Sequence, residues 1–359
     1  MKKGFFKKNC AIVYGLILLV FFLYCYQLHF LTFDRAGASD KSEVHSFTKE
    51  KLIATEVTSI VEFAALQQRN NLVILTYVSY GYKENLMNWL SYLQKLEISN
   101  YGIICLDEEV ELFLTHSNIT CFGLWRQSEV NDSFGDSKQG LSIANVMKLW
   151  VIRMRHLYEL LNHGFDVIFS DTDAVWLRNP LSEGTSLLSE QTGDIVASRG
   201  KFPWEQAKNW GATICMGLSY FRSTPSVIEI VREATKVSQE RFDDQVGINV
   251  ALDTLATRGR TRSAPLFSNI AARTGVKVGF LRDRENAEAH VAGAKVVLIP
   301  HQVVPRCCNA LTPEDWKKNV QIAHCHATDC VKARTRKENW GNFDRRYGAM
   351  KKYNLWNLT

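Results

Sequence analysis

The chain has 359 residues, 46% of them hydrophobic and 22% charged, so it is long and apolar enough to form a large folded domain. Its formal net charge is +6, and four of these charges come from lysines within the first eight residues: Lys2, Lys3, Lys7 and Lys8. The remaining charge of about +2 is too small for a protein that binds the phosphate backbone of nucleic acid, so we expect no nucleic-acid partner.

An apolar segment at residues 10–33 follows these lysines and predicts a membrane anchor. A helix needs about 20 apolar residues to cross the hydrocarbon core, and this segment provides them. Lysines precede the segment and Asp34 follows it, so the positive-inside rule places residues 1–9 in the cytosol and the rest in the lumen.

The alternative reading of this segment is a cleaved signal peptide, because the Ala-Gly-Ala sequence at 36–38 resembles a cleavage site. The apolar run is longer than the core of a typical signal peptide, which favours an uncleaved signal anchor. We therefore predict a single-pass type II membrane protein. Residues 34–68 are polar enough for a stem, and 69–359 form the lumenal domain.

From residue 70 onward, short apolar runs alternate with amphipathic segments, which predicts strands and helices in turn. This alternation is typical of an α/β fold with a Rossmann-like, mostly parallel sheet flanked by helices. The predicted strands are 71–77, 101–106, 166–170, 194–198, 213–221, 276–280, 295–300 and 321–325. The predicted helices are 82–96, 108–116, 143–162, 225–238 and one that follows Asp243.

Polar residues stand near the carboxyl ends of the first three predicted strands, where α/β sheets bind their ligands. They are Thr76, Tyr77, Asp107 and Asp171. Asp171 and Asp173 flank one threonine directly after the strand 166–170, so both carboxylates can converge on one cation. Mg²⁺ and Mn²⁺ take oxygen ligands, and such an ion neutralises the charge that develops on a leaving diphosphate.

The sequence from Asp166 to Pro180, with its Asp-Thr-Asp and the following Val-Trp-Leu-Arg-Asn-Pro, resembles the signature of the nucleotide-diphospho-sugar transferase family. This family includes plant xylosyltransferases and arabinosyltransferases that act on cell-wall polymers, among them rhamnogalacturonan-II, and on glycoproteins. Lys148 upstream, the Arg-Ser-Thr at 222–224, and Asp244-Gln245 with Asn249 also match the family pattern. The resemblance spans residues 70–345 and implies a GT-A fold, a UDP-sugar donor, Mn²⁺ dependence and retention of the anomeric configuration.

The resemblance also implies roles for individual residues. Asp173 and His324 are expected to ligate the metal, with Asp171 as a further ligand or nearer the ribose. Lys148 is a candidate for contact with the diphosphate, the alternative being a solvated lysine on a helix. By their places near strand ends, Thr76, Tyr77 and Asp107 are candidates for contact with the uridine and ribose, the alternative for Tyr77 being a packing role alone. Asp244 and Gln245 are expected to orient the sugar or stabilise its anomeric carbon, while Asp243 caps a helix.

The sequence departs from the family pattern at two places. Cys215-Met216-Gly217 replaces the Asn-Thr-Gly that the family often shows. The region around His324 also lacks the glycine that usually follows the metal-ligating histidine. His324 is the better ligand candidate because it ends the last predicted strand, and His326 remains the alternative.

Seven cysteines follow the predicted anchor, and an oxidising lumen favours disulfides among them. They are Cys105, Cys121, Cys215, Cys307, Cys308, Cys325 and Cys330. The odd number leaves at least one unpaired or paired between chains, and the last four suggest one bridged cluster. Zinc is the rival for that cluster, because His324 and His326 interleave with its cysteines. Asn118, Asn131 and Asn357 begin glycosylation sequons, which suit a lumenal address.

Together these features predict a Golgi glycosyltransferase that transfers a pentose or hexose from a UDP-sugar to a glycan or glycoprotein, with Mn²⁺ or Mg²⁺ as cofactor. The alternative is a catalytically inactive relative that binds glycans or scaffolds other enzymes. A metal-dependent phosphohydrolase is disfavoured, because the sequence shows no second carboxylate cluster for a paired-metal site.

Overall fold

The computed structural model describes residues 57–127, 142–182, 186–258, 266–267, 284–308, 311–325 and 343–358. The predicted cytosolic tail, the predicted anchor at 10–33, most of the predicted stem and the predicted strand at 276–280 lie outside these residues. None of the helices within the described ranges is long and apolar enough to cross a membrane.

Nine α-helices lie within the described ranges: α1 Ile60–Gln67, α2 Lys83–Lys95, α3 Glu108–His116, α4 Ile143–Asn162, α5 Trp204–Trp210, α6 Pro225–Arg241, α7 Asp244–Thr257, α8 Pro313–Lys318 and α9 Phe343–Lys352. The strands there are β1 Leu72–Val78, β2 Tyr101–Cys105, β3 Phe122–Gly123, β4 Asp166–Ser170, β5 Val175–Trp176, β6 Ile195–Gly200, β7 Thr213–Phe221, β8 Ala287–Val291, β9 Ala294–Ile299 and β10 Ile322–Ala323.

Side chains at the helix starts explain where several of these helices begin. Ser142 caps α4 by accepting a hydrogen bond from Asn145 N, and Asp243 caps α7 by accepting one from Val246 N. Thr224 caps α6, and Pro225 follows it at the first helical position, where its missing N–H is not needed. The predicted capping role of Asp243 is therefore confirmed.

Eight of the described strands form one sheet, in the order β3-β2-β1-β4-β7-β6-β9-β8. The strands from β3 to β4 are all parallel, as the sequence predicts. Strand β7 lies between β4 and β6 and runs antiparallel to both. The fold is therefore mixed α/β, and β7 joins its parallel half to a second half that is partly antiparallel.

Both faces of this sheet are covered, because alternate strand residues enter two different cores. Val73 and Leu75 pack in one core with α1, α4, α6 and α7, whereas Ile74 packs in the other with α2 and α3. In α1, Ile60, Phe63 and Ala64 are buried, so these residues of the predicted stem pack on the domain.

A smaller ribbon lies beside the main sheet and is formed by β5 and β10, which pair antiparallel. Val175, Ala323 and Cys325 share a third apolar cluster with Met350 and Leu355 near α9. The ribbon thus connects the segment after β4 to the last described strand, although about 150 residues separate them in the sequence.

Candidate active site

The Asp171-Thr172-Asp173 motif occupies the turn between β4 and β5, as predicted. Asp171 N donates to Gly217 O on β7 at 2.8 Å, and Ala174 N donates to Asp171 O at 2.9 Å. These two bonds fix the backbone as it leaves the sheet. The Asp173 side chain is 6% exposed and that of Asp171 is 35% exposed, so Asp171 is the more accessible of the two carboxylates.

The β5–β10 ribbon brings His324 to this turn. Its backbone N–H donates to Pro305 O at 3.0 Å, and its Nε2 lies 3.3 Å from Asp173 Oδ1 and 3.8 Å from Asp171 Oδ2. Burial and the charge of Arg306 act to lower the pKa of His324, but Asp173 and a hydrogen bond with Cys215 outweigh them and raise it. Asp173 therefore favours the protonated form of the His324 imidazole when no metal ion is bound.

The side chains of Asp171, Asp173 and His324 form a candidate site for a divalent cation. One ligand atom from each of Asp171, Asp173 and His324 lies within 4.8 Å of the others. A Cβ atom built on Gly217 would lie 2.6 Å from Asp171 Oδ2 and 3.0 Å from His324 Nε2, so only glycine leaves room here. Two carboxylates and one imidazole form a ligand set suited to Mn²⁺ and also compatible with Mg²⁺.

Arg153 on α4 connects this motif to the other half of the domain, and its role was not predicted. Its Nη1 lies 3.4 Å from Asp171 Oδ1, its Nε lies 3.4 Å from Asp244 Oδ2, and its Nη2 donates to Met216 O at 2.9 Å. The guanidinium also packs over the ring of Phe169, 4.9 Å from its centroid. A sequence signal was available, because Arg153 is four residues from both Leu149 and Leu157 on the buried face of α4.

Asp244 is the first residue of α7 and is buried against this guanidinium. Burial raises the pKa of its carboxyl to about 7, although the charge of Arg153 lowers it; the nearby charges of Asp243 and Asp171 add to the increase. The neighbouring Gln245 is half-buried, and its side-chain amide donates to Phe202 O.

Asn249, one turn further along α7, fixes this helix against β7. Its Oδ1 accepts from Ile214 N at 2.9 Å, and its Nδ2 donates to Ile214 O at 3.0 Å and to Gln245 O at 2.7 Å. The family-like spacing of Asp244, Gln245 and Asn249 therefore has a structural basis, since Asn249 determines where the start of α7 lies relative to the sheet.

The other predicted donor-binding residues occupy varied positions. Tyr77 lies inside β1, and its hydroxyl is 3.0 Å from His156 Nδ1. Its ring centroid is 5.6 Å from the Arg153 guanidinium, so Tyr77 packs against the arginine that pairs with Asp171 and Asp244. Thr76 is buried in the same strand, two residues before the strand ends. Lys148 is exposed on the first half of α4.

Asp107 follows β2, as predicted, and its carboxylate interacts with backbone groups. It accepts from Val110 N at 2.9 Å as the N-cap of α3, and from Tyr80 N at 2.9 Å. These bonds connect the loops after β1 and β2 to each other at the carboxyl edge of the sheet. A contact of Asp107 with ribose therefore remains a prediction.

Five of the six described cysteines are disulfide-bonded. Disulfides join Cys105 to Cys121 and Cys308 to Cys325, and Cys307 is disulfide-bonded as well. The bond between Cys308 and Cys325 confirms this part of the predicted bridged cluster, and Cys325 is a disulfide partner rather than a zinc ligand. Cys330 and His326 lie outside the described residues.

Cys215 is a buried free thiol, which agrees with the prediction that at least one of the seven cysteines stays unpaired. Its sulfur accepts a hydrogen bond from Arg306 Nη1. Burial alone would raise the pKa of this thiol, but the charge of Arg306 and the contact with His324 lower it to about 7.

The fold and the site define an α/β protein with a candidate divalent-cation site at the carboxyl end of a central parallel strand. Over residues 96–339 the sequence matches the model of the nucleotide-diphospho-sugar transferase family, and the chain belongs to this family.

Three curated relatives are glycosyltransferases. A β-arabinofuranosyltransferase of Arabidopsis thaliana is 30% identical over 130 residues, which cover 35% of this chain and 24% of that protein. An arabinosyltransferase of the same plant is 22% identical over 190 residues, covering 50% and 28%. A UDP-galactose:fucoside alpha-3-galactosyltransferase of Dictyostelium discoideum is 22% identical over 212 residues, covering 51% and 31%. The chain thus spans about a quarter to a third of the length of these relatives.

Two solved glycosyltransferase structures are remotely similar. The galactosyltransferase LgtC in complex with donor and acceptor sugar analogues gives a TM-score of 0.35 at 11% identity, covering 80% of this chain and 96% of that one. The apo structure of the bifunctional glycosyltransferase WbbM gives 0.37 at 12% identity, covering 72% and 46%. Likenesses at these scores do not define the fold of this chain.

Proposed function

We propose that this chain is a GT-A glycosyltransferase that transfers a sugar from a UDP-sugar to a glycan or glycoprotein, with retention of the anomeric configuration. The observation that carries the proposal is the convergence of Asp171, Asp173 and His324 beside the Arg153–Asp244 ion pair, in a chain of the nucleotide-diphospho-sugar transferase family. The three relatives, named as arabinosyl- and galactosyltransferases, support the same class of reaction.

In this proposal Asp173 and His324 hold Mn²⁺ or Mg²⁺, with Asp171 as the third and more exposed ligand. When bound, the ion supplies Lewis-acid stabilisation of the charge on the leaving UDP. The exposed side of Asp171 suits contact with the donor.

Asp244 then faces the sugar from the other half of the domain. A retaining transfer needs either a carboxylate nucleophile or a front-face attack on a positively charged anomeric centre. Asp244 is buried and ion-paired with Arg153, so its carboxylate is fixed in place. We therefore assign it electrostatic stabilisation of the anomeric carbon and orientation of the sugar, with Gln245 as a further sugar contact.

Release of UDP from a panel of donors tests this function. The purified chain, in detergent, is incubated with Mn²⁺, a mixture of glycan acceptors, and UDP-xylose, UDP-arabinose or UDP-galactose in turn. We expect one donor to be consumed, loss of activity with EDTA, and a decrease of at least about 100-fold in Asp173→Asn, which keeps the shape but removes the charge. NMR of the product determines whether the anomeric configuration is retained.

A matched control is Asp194→Asn, which removes an acidic side chain on the same domain that binds Arg222 at 3.5 Å and Lys295 N at 2.8 Å. This variant should retain its activity. If no donor is consumed while the chain is folded, the inactive glycan-binding relative becomes the better interpretation. Activity that Asp173→Asn leaves unchanged would refute the proposed metal site.

The proposed cellular location is the Golgi lumen, with residues 10–33 as a signal anchor. The apolar segment with lysines before it supports this proposal, and so do the disulfides, which form in oxidising compartments. A fluorescent fusion should colocalise with a Golgi marker and resist extraction by carbonate. Release of the protein into the medium would instead indicate a cleaved signal peptide.

A further inference from the structure

Cys215 is a buried free thiol, and its position beside His324 suggests a function for it. Cys215 and Gly217 are two residues apart on β7, and both lie against the imidazole of His324. The Cε1 and Nε2 atoms of His324 are beside Gly217, and its side chain hydrogen-bonds with Cys215.

The two ring nitrogens of His324 have different neighbours. Nε2 faces the carboxylates, 3.3 Å from Asp173 Oδ1. Nδ1 lies 3.2 Å from Arg306 Nη1, and Arg306 Nη1 also donates to the sulfur of Cys215. The sulfur of Cys215, the guanidinium of Arg306 and Nδ1 of His324 thus lie together on the side of the imidazole ring that faces away from the candidate cation site.

The position of the imidazole proton determines the hydrogen bonds among these three groups when a cation is bound to Nε2. A neutral histidine that ligates a metal through Nε2 carries its proton on Nδ1, and this N–H needs an acceptor. Arg306 cannot provide one, because a guanidinium has donors only. The sulfur of Cys215 can accept, and it then receives hydrogen bonds from both His324 Nδ1–H and Arg306.

We propose that Cys215 is a positioning residue for the metal ligand: its sulfur accepts the Nδ1 proton of His324 and thereby fixes the tautomer and ring orientation that leave Nε2 free for a divalent cation. This inference rests on the proposed function, since it assigns a partner to one of the proposed ligands. Arg306 holds the sulfur from the other side. Carboxylates and backbone carbonyls have the same role at other metal-bound histidines.

The affinity for Mn²⁺ tests this role independently of activity. The metal-stripped chain is titrated with Mn²⁺, and the free ion is followed by electron paramagnetic resonance. We expect Cys215→Ala to weaken Mn²⁺ binding by about 10–100-fold, the range typical for loss of such a partner. Cys215→Ser should weaken it less, because its hydroxyl can also accept a hydrogen bond.

Two further measurements separate positioning from packing. Ser198 lies opposite Cys215 on β6 and donates to Leu218 O, so Ser198→Ala removes another buried polar group nearby and should leave Mn²⁺ affinity unchanged. Thermal unfolding in EDTA reports the stability of each metal-free variant. The positioning role would be overturned if both Cys215→Ala and Ser198→Ala lost Mn²⁺ affinity in proportion to their loss of stability.

Asp173→Asn distinguishes failure of this inference from failure of the proposed function. If Asp173→Asn loses Mn²⁺ binding while Cys215→Ala binds as tightly as the wild type, the inference about Cys215 is wrong and the metal site stands. If the wild type binds no Mn²⁺, or Asp173→Asn binds it normally, both the inference and the proposed metal site are wrong.

Discussion

Replacing Arg153 with methionine tests how strongly this cation favours the charged form of Asp244 in the domain interior. Methionine preserves much of the apolar packing but removes the cation that faces Asp244 at 3.4 Å and Asp171 at 3.4 Å. Removing one partner from a buried ion pair destabilises a protein by about 3–5 kcal/mol, because the remaining charge is left without compensation. We expect a loss in this range at pH 8.

The pH dependence of this loss follows from the pKa of Asp244. In the wild type this pKa is about 7 against a usual value of 3.8, so the folded state holds a proton that the unfolded chain has already lost. The contribution of Asp244 to the free energy of unfolding therefore falls as the pH rises from about 4 to about 7 and then levels off. Without Arg153 the pKa of Asp244 rises further, so the variant should continue to lose up to about 1.4 kcal/mol per pH unit above pH 7.

The assay is unfolding in urea, with EDTA present, at pH 6, 7, 8 and 9. The stability difference between the wild type and Arg153→Met should be smallest at pH 6 and grow towards pH 9. Arg222→Met is the matched control, because Arg222 is 39% exposed and pairs with Glu190 and Asp194 at the surface. Its effect should be below about 1 kcal/mol. A difference for Arg153→Met that stays constant from pH 6 to pH 9 would refute this explanation.

Three further predictions concern the backbone, the cross-links and the surface. Gly217→Ala should weaken Mn²⁺ binding by more than about 10-fold in the titration, because the new methyl group enters the space between the ligands; unchanged affinity would mean that β7 moves aside. Cys121→Ser should lower the free energy of unfolding by about 3 kcal/mol in urea, since the lost disulfide to Cys105 closes a loop with a sequence separation of 16; a loss below 1 kcal/mol would contradict this. In the secretory pathway Asn118, which is exposed, should carry a glycan, whereas Asn357, which is half-buried, should not. Peptide mapping after deglycosylation in isotopically labelled water checks both sites.

The sequence predicted much of the parallel half of the fold, because its strands and helices have clear periodicity. The helix at 143–162 and the strand at 166–170 agree with the structure. Strand β7 was predicted, but all nine of its residues are buried, so its sequence carries no alternation that would reveal its direction. Strand β8 was missed because it alternates small alanines with polar residues, which gives a weak strand signal.

The candidate site was predicted unevenly, for physical reasons. Asp171 and Asp173 are separated by one residue and follow a clear strand, so their convergence could be inferred locally. His324 reaches them only through the pairing of β5 with β10, and no local pattern in the sequence encodes that pairing. The resemblance to the family, rather than a local pattern, indicated a histidine ligand in this region. Arg153 was missed because arginine on a helix usually faces solvent, although its place among buried leucines was visible.

The disulfide between Cys308 and Cys325 makes the candidate site dependent on redox conditions. Cys325 directly follows His324, and Cys308 is two residues after Arg306, so one covalent bond joins the segments that carry these two side chains. Under reducing conditions this bond is lost, and the candidate cation site loses a covalent restraint on His324. The geometry of the candidate site therefore depends on a bond formed far from the Asp-Thr-Asp turn in the sequence.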